Sequence, residues 1–367
     1  MRRVFDERIF DHFDWPLFGC VCIILALGLM NLYSATYQLP LARFFPLQAI
    51  WVLIGMGVLL ALLFFDYRLV ERMAYPIYVL ALILLAFVLF KGKVALGAQR
   101  WLQIGPLSIQ PSELIKPAVV LAFARFFHRR HDTGPLGFRH FIGPALLAGI
   151  PVVLILKQPD LGTALIVTCV SGAMILFAGV QKKLILSLAA LLAVAGPVAW
   201  TYGLHDYQKD RITTFLSPEK DARGKGYQTI QSRIAIGSGE LLGRGYLKGT
   251  QTKLQFLPKQ HTDFIFSNFA EEFGFLGTAL ILFLYASFTL LGVNVALTSK
   301  EQFGMLLAFG LAVLVGAQAW INLAMESGLL PVVGVPLPLF SYGGTSLLAT
   351  LAAIGMLLNI SMRRYLF

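Results

Sequence analysis

The sequence predicts an all-α polytopic membrane protein of about ten transmembrane helices, with one large extracytoplasmic loop between spans seven and eight. Three observations predict it. Of 367 residues, 57% are hydrophobic and only 13% are charged, against roughly 25% charged in a soluble domain. Apolar runs of about 20 residues, the length that crosses a bilayer core, recur from end to end. The alternating pattern of a membrane β-barrel is absent. Residues 1–367 read as a single transmembrane domain.

The spans are expected at 16–36, 46–65, 73–90, 113–128, 142–156, 161–180, 184–203, 264–293, 304–325 and 342–361. The first follows Asp6, Glu7, Asp11 and Asp14. That acidic lead argues for a permanent helix rather than a cleaved signal peptide. Orientation follows Lys and Arg in the short connections. With the N-terminus inside, the cytoplasmic side holds Arg2, Arg3, Arg8, Arg68, Arg72, Arg129, Arg130, Arg139, Lys182, Lys183, Lys300, Arg363 and Arg364. The opposite side holds only Arg43, Lys91, Lys93, Arg100 and Lys157. Both termini are therefore expected in the cytoplasm, as an even number of spans requires. Cys20, Cys22 and Cys169 fall in apolar runs and read as small buried hydrophobes, not as a disulfide or metal framework.

Residues 204–263 form the long connection, expected outside. They carry ten Lys or Arg and six acidic residues, a net charge of +4. The positive-inside rule does not govern long loops. An anionic ligand such as a phosphate-bearing lipid explains the charge, and so does attraction to anionic head groups. The run YQTIQSRIAIGSGELLG is amphipathic enough to lie on a membrane surface. There is no P-loop, no GxGxxG in a βαβ setting and no HExxH signature, so nothing points to ATP hydrolysis, and no nucleic-acid partner is expected.

Polar groups at membrane depth carry the functional signal, since a charge there costs a few kcal/mol. In WLQIGPLSIQPSELIKPAVV, Ser112 suits an N-cap. Glu113 and Lys116, three apart, share a helix face, and Pro117 loosens the helix beside them. The pattern leaves open an internal ion pair and a pair lining a cavity. In KQPDLGTALIV, Asp160 suits an N-cap and Gly162 permits close packing. In FLPKQHTDFIFSNFAEEFGF, Asp263 stands at the mouth of span eight beside His261 and Thr262. Glu271 and Glu272 lie about 80° and 180° around the helix from it, and about 12 Å deeper. Asp263 is thus either an N-cap or a lone acid at the outer mouth. The two glutamates read as buried against polar partners from other spans. The last outer loop, ESGLLPVVGVPLPLFSYGGTSLL, has too many prolines and glycines for a continuous helix, so it must be buried in protein or line a cavity.

These stretches, together with DWPL before span one, GYQTIQSRIAIGSGELLGRGYLKGTQTKLQFLPKQHTDFIF and AEEFGFLG, resemble the SEDS family of bacterial cell-wall synthesis proteins. The resemblance covers nearly the whole chain. GTQTKLQFLPKQHTDFIF and PVVGVPLPL look more like its elongation branch than its division branch. It implies a multi-pass peptidoglycan glycosyltransferase of the bacterial cytoplasmic (inner) membrane, serving cell elongation and shape. Such an enzyme polymerises lipid II, the undecaprenyl-pyrophosphate-linked disaccharide-pentapeptide, at the outer face. Its implied partners are a class B penicillin-binding protein and the elongation machinery. The essential acid maps to Asp263, and Trp101, Glu113, Lys116 and Asp160 map to the substrate cavity. Two departures stand out: Lys259, where the family commonly has Glu, and Glu326, an unusual acid before the last outer loop.

The implied reaction moves the growing glycan from its lipid pyrophosphate to the GlcNAc 4-hydroxyl of lipid II. The donor bond is α and the product bond β, so one inverting displacement with one general base suffices. The leaving pyrophosphate needs positive charge, for which Arg100, Lys116, Arg211 and Lys253 are candidates, with His261 beside the acid. A divalent cation, Mg2+ or Mn2+, would serve the same end, although no ligand cluster marks one. Two other classes fit a polytopic chain with buried charges. A lipid II transporter would rely on Glu113 and Lys116 more than on Asp263. A non-catalytic scaffold for a penicillin-binding protein would need no carboxylate at the mouth.

Overall fold

In lipid, every backbone N–H and C=O must be satisfied within the protein, and a helix does so within one segment. All ten apolar runs accordingly lie on helices in the computed structural model, which describes residues 13–37, 41–95, 98–105, 107–130, 134–203, 206–221, 225–250 and 260–364. They are α1 (Trp15–Thr36), α2 (Phe44–Phe64), α3 (Tyr67–Lys91), α4 (Pro111–His128), α5 (Phe138–Lys157), α6 (Leu161–Phe177) and α7 (Lys182–Val198), then α10 (Ile265–Thr298), α11 (Gln302–Glu326) and α12 (Gly344–Arg363). Among the described residues, seven of these are long and apolar enough to cross a membrane. The other three fall short for simple reasons. α4 carries Glu113, Lys116 and Arg125, and α6 and α7 have 17 residues each.

The interior is built by α4, α11 and α12. In α12, 83% of the most apolar window is buried, against 17% in α5, so α12 is a central helix and α5 an outer one. α11 packs along α10, α4, α6 and α12, while α2 lies against α12 and α3 against α4. Small residues make the close approaches, as is usual between membrane helices. A Cβ at Gly310 would meet Val120 Cγ1 at 2.5 Å, and one at Gly292 would meet Ala312 Cβ at 2.7 Å. Cys20 is buried, but Cys169 is exposed on the outward side of α6, which corrects its reading as a buried hydrophobe.

Between α3 and α4 lies a three-stranded antiparallel sheet, β1 (Lys93–Ala95), β2 (Ala98–Ile104) and β3 (Leu107–Ile109), in the order β1-β2-β3. Among its described residues, the long connection carries the α-helices α8 (Asp206–Leu216) and α9 (Lys225–Ser238). The amphipathic run begins as α9, with Ile234 exposed on it and Leu241 and Leu242 exposed just beyond it. α9 packs on α10 and buries Thr229, Ser232 and Ala235.

At 34 residues, α10 would extend about 51 Å if straight, well beyond a bilayer core of about 30 Å. It is broken at Gly274, whose φ of 62° and ψ of −156° are non-helical. The turn after α9 fills the break. Arg244 N and Gly245 N donate to the carbonyls of Glu271 and Glu272, both at 3.0 Å. Phe275 N donates to Glu240 O at 2.8 Å and Leu276 N to Leu241 O at 3.2 Å. The main-chain ladder of the helix is thus completed by another segment of the chain.

Candidate active site

One face of α11 organises the site. Gln318, Asn322 and Glu326 recur at every fourth residue, so they stack along one stripe, and all three are buried. Each holds a different part of the structure around it.

Gln318 joins the buried ion pair to the connection between α11 and α12. Lys116 Nζ lies 2.7 Å from Glu113 Oε2 and donates to Gln318 Oε1 at 3.0 Å. Gln318 Nε2 donates to Pro336 O at 3.2 Å. Glu113, Lys116, Pro117, Gln318 and Thr350 line a small cavity, so the arrangement is both an internal pair and a cavity lining. Ser112 is not the N-cap of α4. Gln110 holds that position without a side-chain cap bond, and Ser112 Oγ reaches Asp160 Oδ2 at 3.5 Å. Glu113→Gln and Lys116→Met are each expected to lower the melting temperature of the detergent-solubilised protein, because each strands a buried charge. The double variant should recover about 1–2 kcal/mol relative to the sum. Simple additivity in a thermal-unfolding cycle would show that the pair is uncoupled.

Asp160 caps α6, accepting from Thr163 N at 3.3 Å and Thr163 Oγ1 at 3.0 Å. A Cβ at Gly162 would stand 2.7 Å from Val333 O, so the start of α6 meets the connection between α11 and α12. Arg100, on β2, donates from Nε to Gln158 O at 3.0 Å and from its terminal nitrogen to Pro159 O. Those carbonyls hold the guanidinium beside Asp160. Trp101, next on the strand, pairs opposite Lys93 and is half-buried. Arg211 lies on α8. Lys253 and Lys259 lie outside the described residues.

Asp263 lies in the turn just before α10 and is half-buried. It is not the N-cap: Phe264 is, with no side-chain cap bond. The orphan donors go to Glu326 instead. Phe266 N donates to Glu326 Oε1 at 3.3 Å, and Ser267 N and Oγ both donate to Oε2 at 2.7 Å. Asn322 Nδ2 donates to Asp263 O at 3.2 Å and to Val335 O at 2.7 Å. A Cβ at Gly334 would lie 3.6 Å from Asp263 Oδ2. His261 stacks on Phe44, with ring centroids 4.5 Å apart, and its carbonyl accepts from Tyr342 N at 2.9 Å. Ser341 Oγ donates to Thr262 O at 2.6 Å. The turn carrying Asp263 is thereby held against the connection between α11 and α12.

Glu271 and Glu272 do different work. Glu271 accepts from Thr250 N at 2.7 Å and Thr250 Oγ1 at 2.9 Å, with Arg244 Nε at 3.8 Å. Glu272 accepts from Ser34 Oγ. They fasten residues 244–250 and α1 beside the break in α10.

Sequence reasoning missed Gln318 and Asn322. Their signal was a polar residue at every fourth position in the apolar run GAQAWINLAMES. Among the described residues, no three His, Cys, Asp or Glu side chains gather into a metal-ligand set.

A family profile described as "Cell cycle protein", for FtsW, RodA and SpoVE, matches residues 14–366. The chain is 41% identical over 314 residues to peptidoglycan glycosyltransferase MrdB of Escherichia coli (strain K12), covering 85% of this chain and 84% of that protein. Among solved structures it is similar to a chain from work titled structural coordination of polymerization and crosslinking by a peptidoglycan synthase complex. The TM-score is 0.83 at 34% identity, over 96% of this chain and 98% of that one. It is also similar to the rod shape determining protein RodA of Thermus thermophilus, with a TM-score of 0.72 at 32% identity over the same shares. With the profile matched over nearly its whole length, the chain belongs to the FtsW/RodA/SpoVE family.

Proposed function

We propose that this protein is a peptidoglycan glycosyltransferase of cell elongation, polymerising lipid II at the outer face of the bacterial cytoplasmic membrane with Asp263 as general base. The glycosyltransferase assignment is supported by the names of its relatives. The observation that carries the catalytic assignment is the division of labour at the start of α10. Glu326 takes the helix N-terminus, and Asp263 stands outside it. One general base suffices for an inverting transfer.

In the step proposed, the Asp263 carboxylate takes the proton of the GlcNAc 4-hydroxyl as that oxygen attacks C1 of the donor sugar. The C1–O bond to the lipid pyrophosphate breaks, and undecaprenyl pyrophosphate leaves with the electron pair. Lys116, Arg211 and Lys253 remain candidates to offset its charge. Arg100 is a weaker one, since backbone carbonyls hold its guanidinium. With no ligand set among the described residues, no step is assigned to a cation. Trp101, Glu113, Asp160 and His261 belong to the same reading as cavity residues.

The topology proposed has ten spans in one transmembrane domain, both termini in the cytoplasm, and residues 204–263 outside. The break in α10 fits it, since residues 275–298 alone extend about 36 Å. The similarity to a chain of a synthase complex supports a class B penicillin-binding protein as partner.

Purified protein in detergent is expected to convert lipid II to glycan polymer, with or without that partner added. Detergent abolishes sidedness, so a transporter yields no polymer there, and a scaffold yields none alone. Absence of polymer from a monodisperse, folded preparation in both conditions overturns the proposal.

A further inference from the structure

Two duties compete for a carboxylate at the start of a helix. A capping carboxylate accepts N–H groups of the first turn and is drawn onto them by the helix dipole. A general base must keep its oxygen directed at the substrate. Asp263 lies three residues before Phe266, at the spacing from which a side chain caps that N–H. Yet Phe266 N and Ser267 N are both occupied by Glu326, a residue from the far end of a different helix. One turn earlier on α11, Asn322 holds the Asp263 carbonyl and Val335 O together. Val335 follows Gly334, which faces Asp263 Oδ2. Ser232 of α9 closes the cluster, 2.6 Å from Ser267 Oγ and donating to Glu326 O at 2.6 Å.

We propose that Glu326, with Asn322, is the positioning device for the catalytic carboxylate: Glu326 occupies the N-terminus of α10 in place of Asp263, and Asn322 fixes the turn that aims Asp263 past Gly334. The inference rests on the reading of Asp263 as the base. It gives the unusual acid of NLAMESGLLP a role in the reaction without contact with substrate.

With Glu326→Leu, the vacated N–H groups recruit Asp263. The helix end stays capped, and the base is turned away. The expected result is a fall in kcat of about 10–100-fold, the scale of a misplacement near 1 Å, with KM for lipid II and the melting temperature close to those of the parent. Glu326→Gln keeps an acceptor oxygen at the helix end and should restore kcat to within about threefold of the parent. In an Asp263→Asn background, Glu326→Leu should cost little more, because no base is left to misplace. Asn322→Ala should show the same loss confined to kcat, and it decides the matter if the leucine variant does not fold. The inference is overturned if Glu326→Leu turns over at the parent rate, if its loss lies in KM, if Glu326→Gln is equally damaged, or if the losses multiply with Asp263→Asn. A fully active Asp263→Asn overturns the base reading and this inference together. An inactive Asp263→Asn beside an unaffected Glu326→Leu removes this inference alone.

Discussion

Asp263→Asn is expected to abolish glycan polymerisation while leaving the protein intact. Asn keeps the volume and hydrogen-bonding shape of the side chain. The start of α10 is not at stake, because Glu326 rather than Asp263 holds its N–H groups. What the substitution removes is the capacity to accept a proton, typically worth about 10²–10⁴-fold in rate. Membrane insertion, melting temperature and partner binding should match the parent, and product formation from lipid II should fall by at least two orders of magnitude. Glu271→Gln and Glu272→Gln are the controls. Their side chains fasten residues 244–250 and α1, so they should lower stability and leave the chemistry of folded protein near the parent rate. Polymerisation by folded Asp263→Asn at near the parent rate would remove the carboxylate from the mechanism.

Gly274→Ala is expected to be among the most damaging single-methyl changes at the described glycines. With φ at 62° and ψ at −156°, Gly274 lies in a backbone region essentially reserved for glycine, where another residue costs about 1–3 kcal/mol. Space is the larger problem. A Cβ would stand 2.3 Å from Gly243 N, 2.7 Å from Gly239 O and 2.9 Å from Leu241 C, all of them backbone atoms that cannot rotate aside. Relieving the clash separates the turn from the helix and puts at risk four main-chain hydrogen bonds, each worth about 1 kcal/mol net. The loss should therefore exceed about 4 kcal/mol and show as a collapse in the yield of monodisperse protein. Gly237→Ala, on the neighbouring helix with no atom within 4 Å of the new methyl, should be neutral or slightly stabilising. Equal melting temperatures for the two variants would mean that the joint contributes nothing to stability.

The helical, membrane-spanning character was legible because lipid demands length and apolarity, both local properties of sequence, and seven helices meet both demands among the described residues. The ion pair was legible for the same reason: Glu113 and Lys116 lie one turn apart on one helix. Asp160 as a cap followed from its place before an apolar run. The cap of α10 was not legible, because its ligand lies 59 residues further along the chain, and local pattern offered only Asp263. The identity of Glu326 as a departure could be seen, but what it touches could not. The sheet before α4 escaped because its strands are three and seven residues long and make no span-length signal. Periodicity in YQTIQSRIAIGSGELLG reveals two faces without saying what meets each: α10 packs on the side carrying Thr229, Ser232 and Ala235, while Ile234, Leu241 and Leu242 stay exposed.

The joint at Gly274 also constrains the order in which the chain is assembled. Residues 239–245 leave the ribosome before α10 does, and in the topology proposed above they cross the bilayer before α10 arrives. Until they dock, the carbonyls of Glu271 and Glu272 and the amides of Phe275 and Leu276 lack the partners they have in the finished protein. Such groups are costly in hydrocarbon, so the seam must wait in water or among head groups. The segment then acts as a stitch sewn through a long helix after both have been made. A chain nicked between α9 and α10 would thread every span correctly and still depend on that stitch to close the helix.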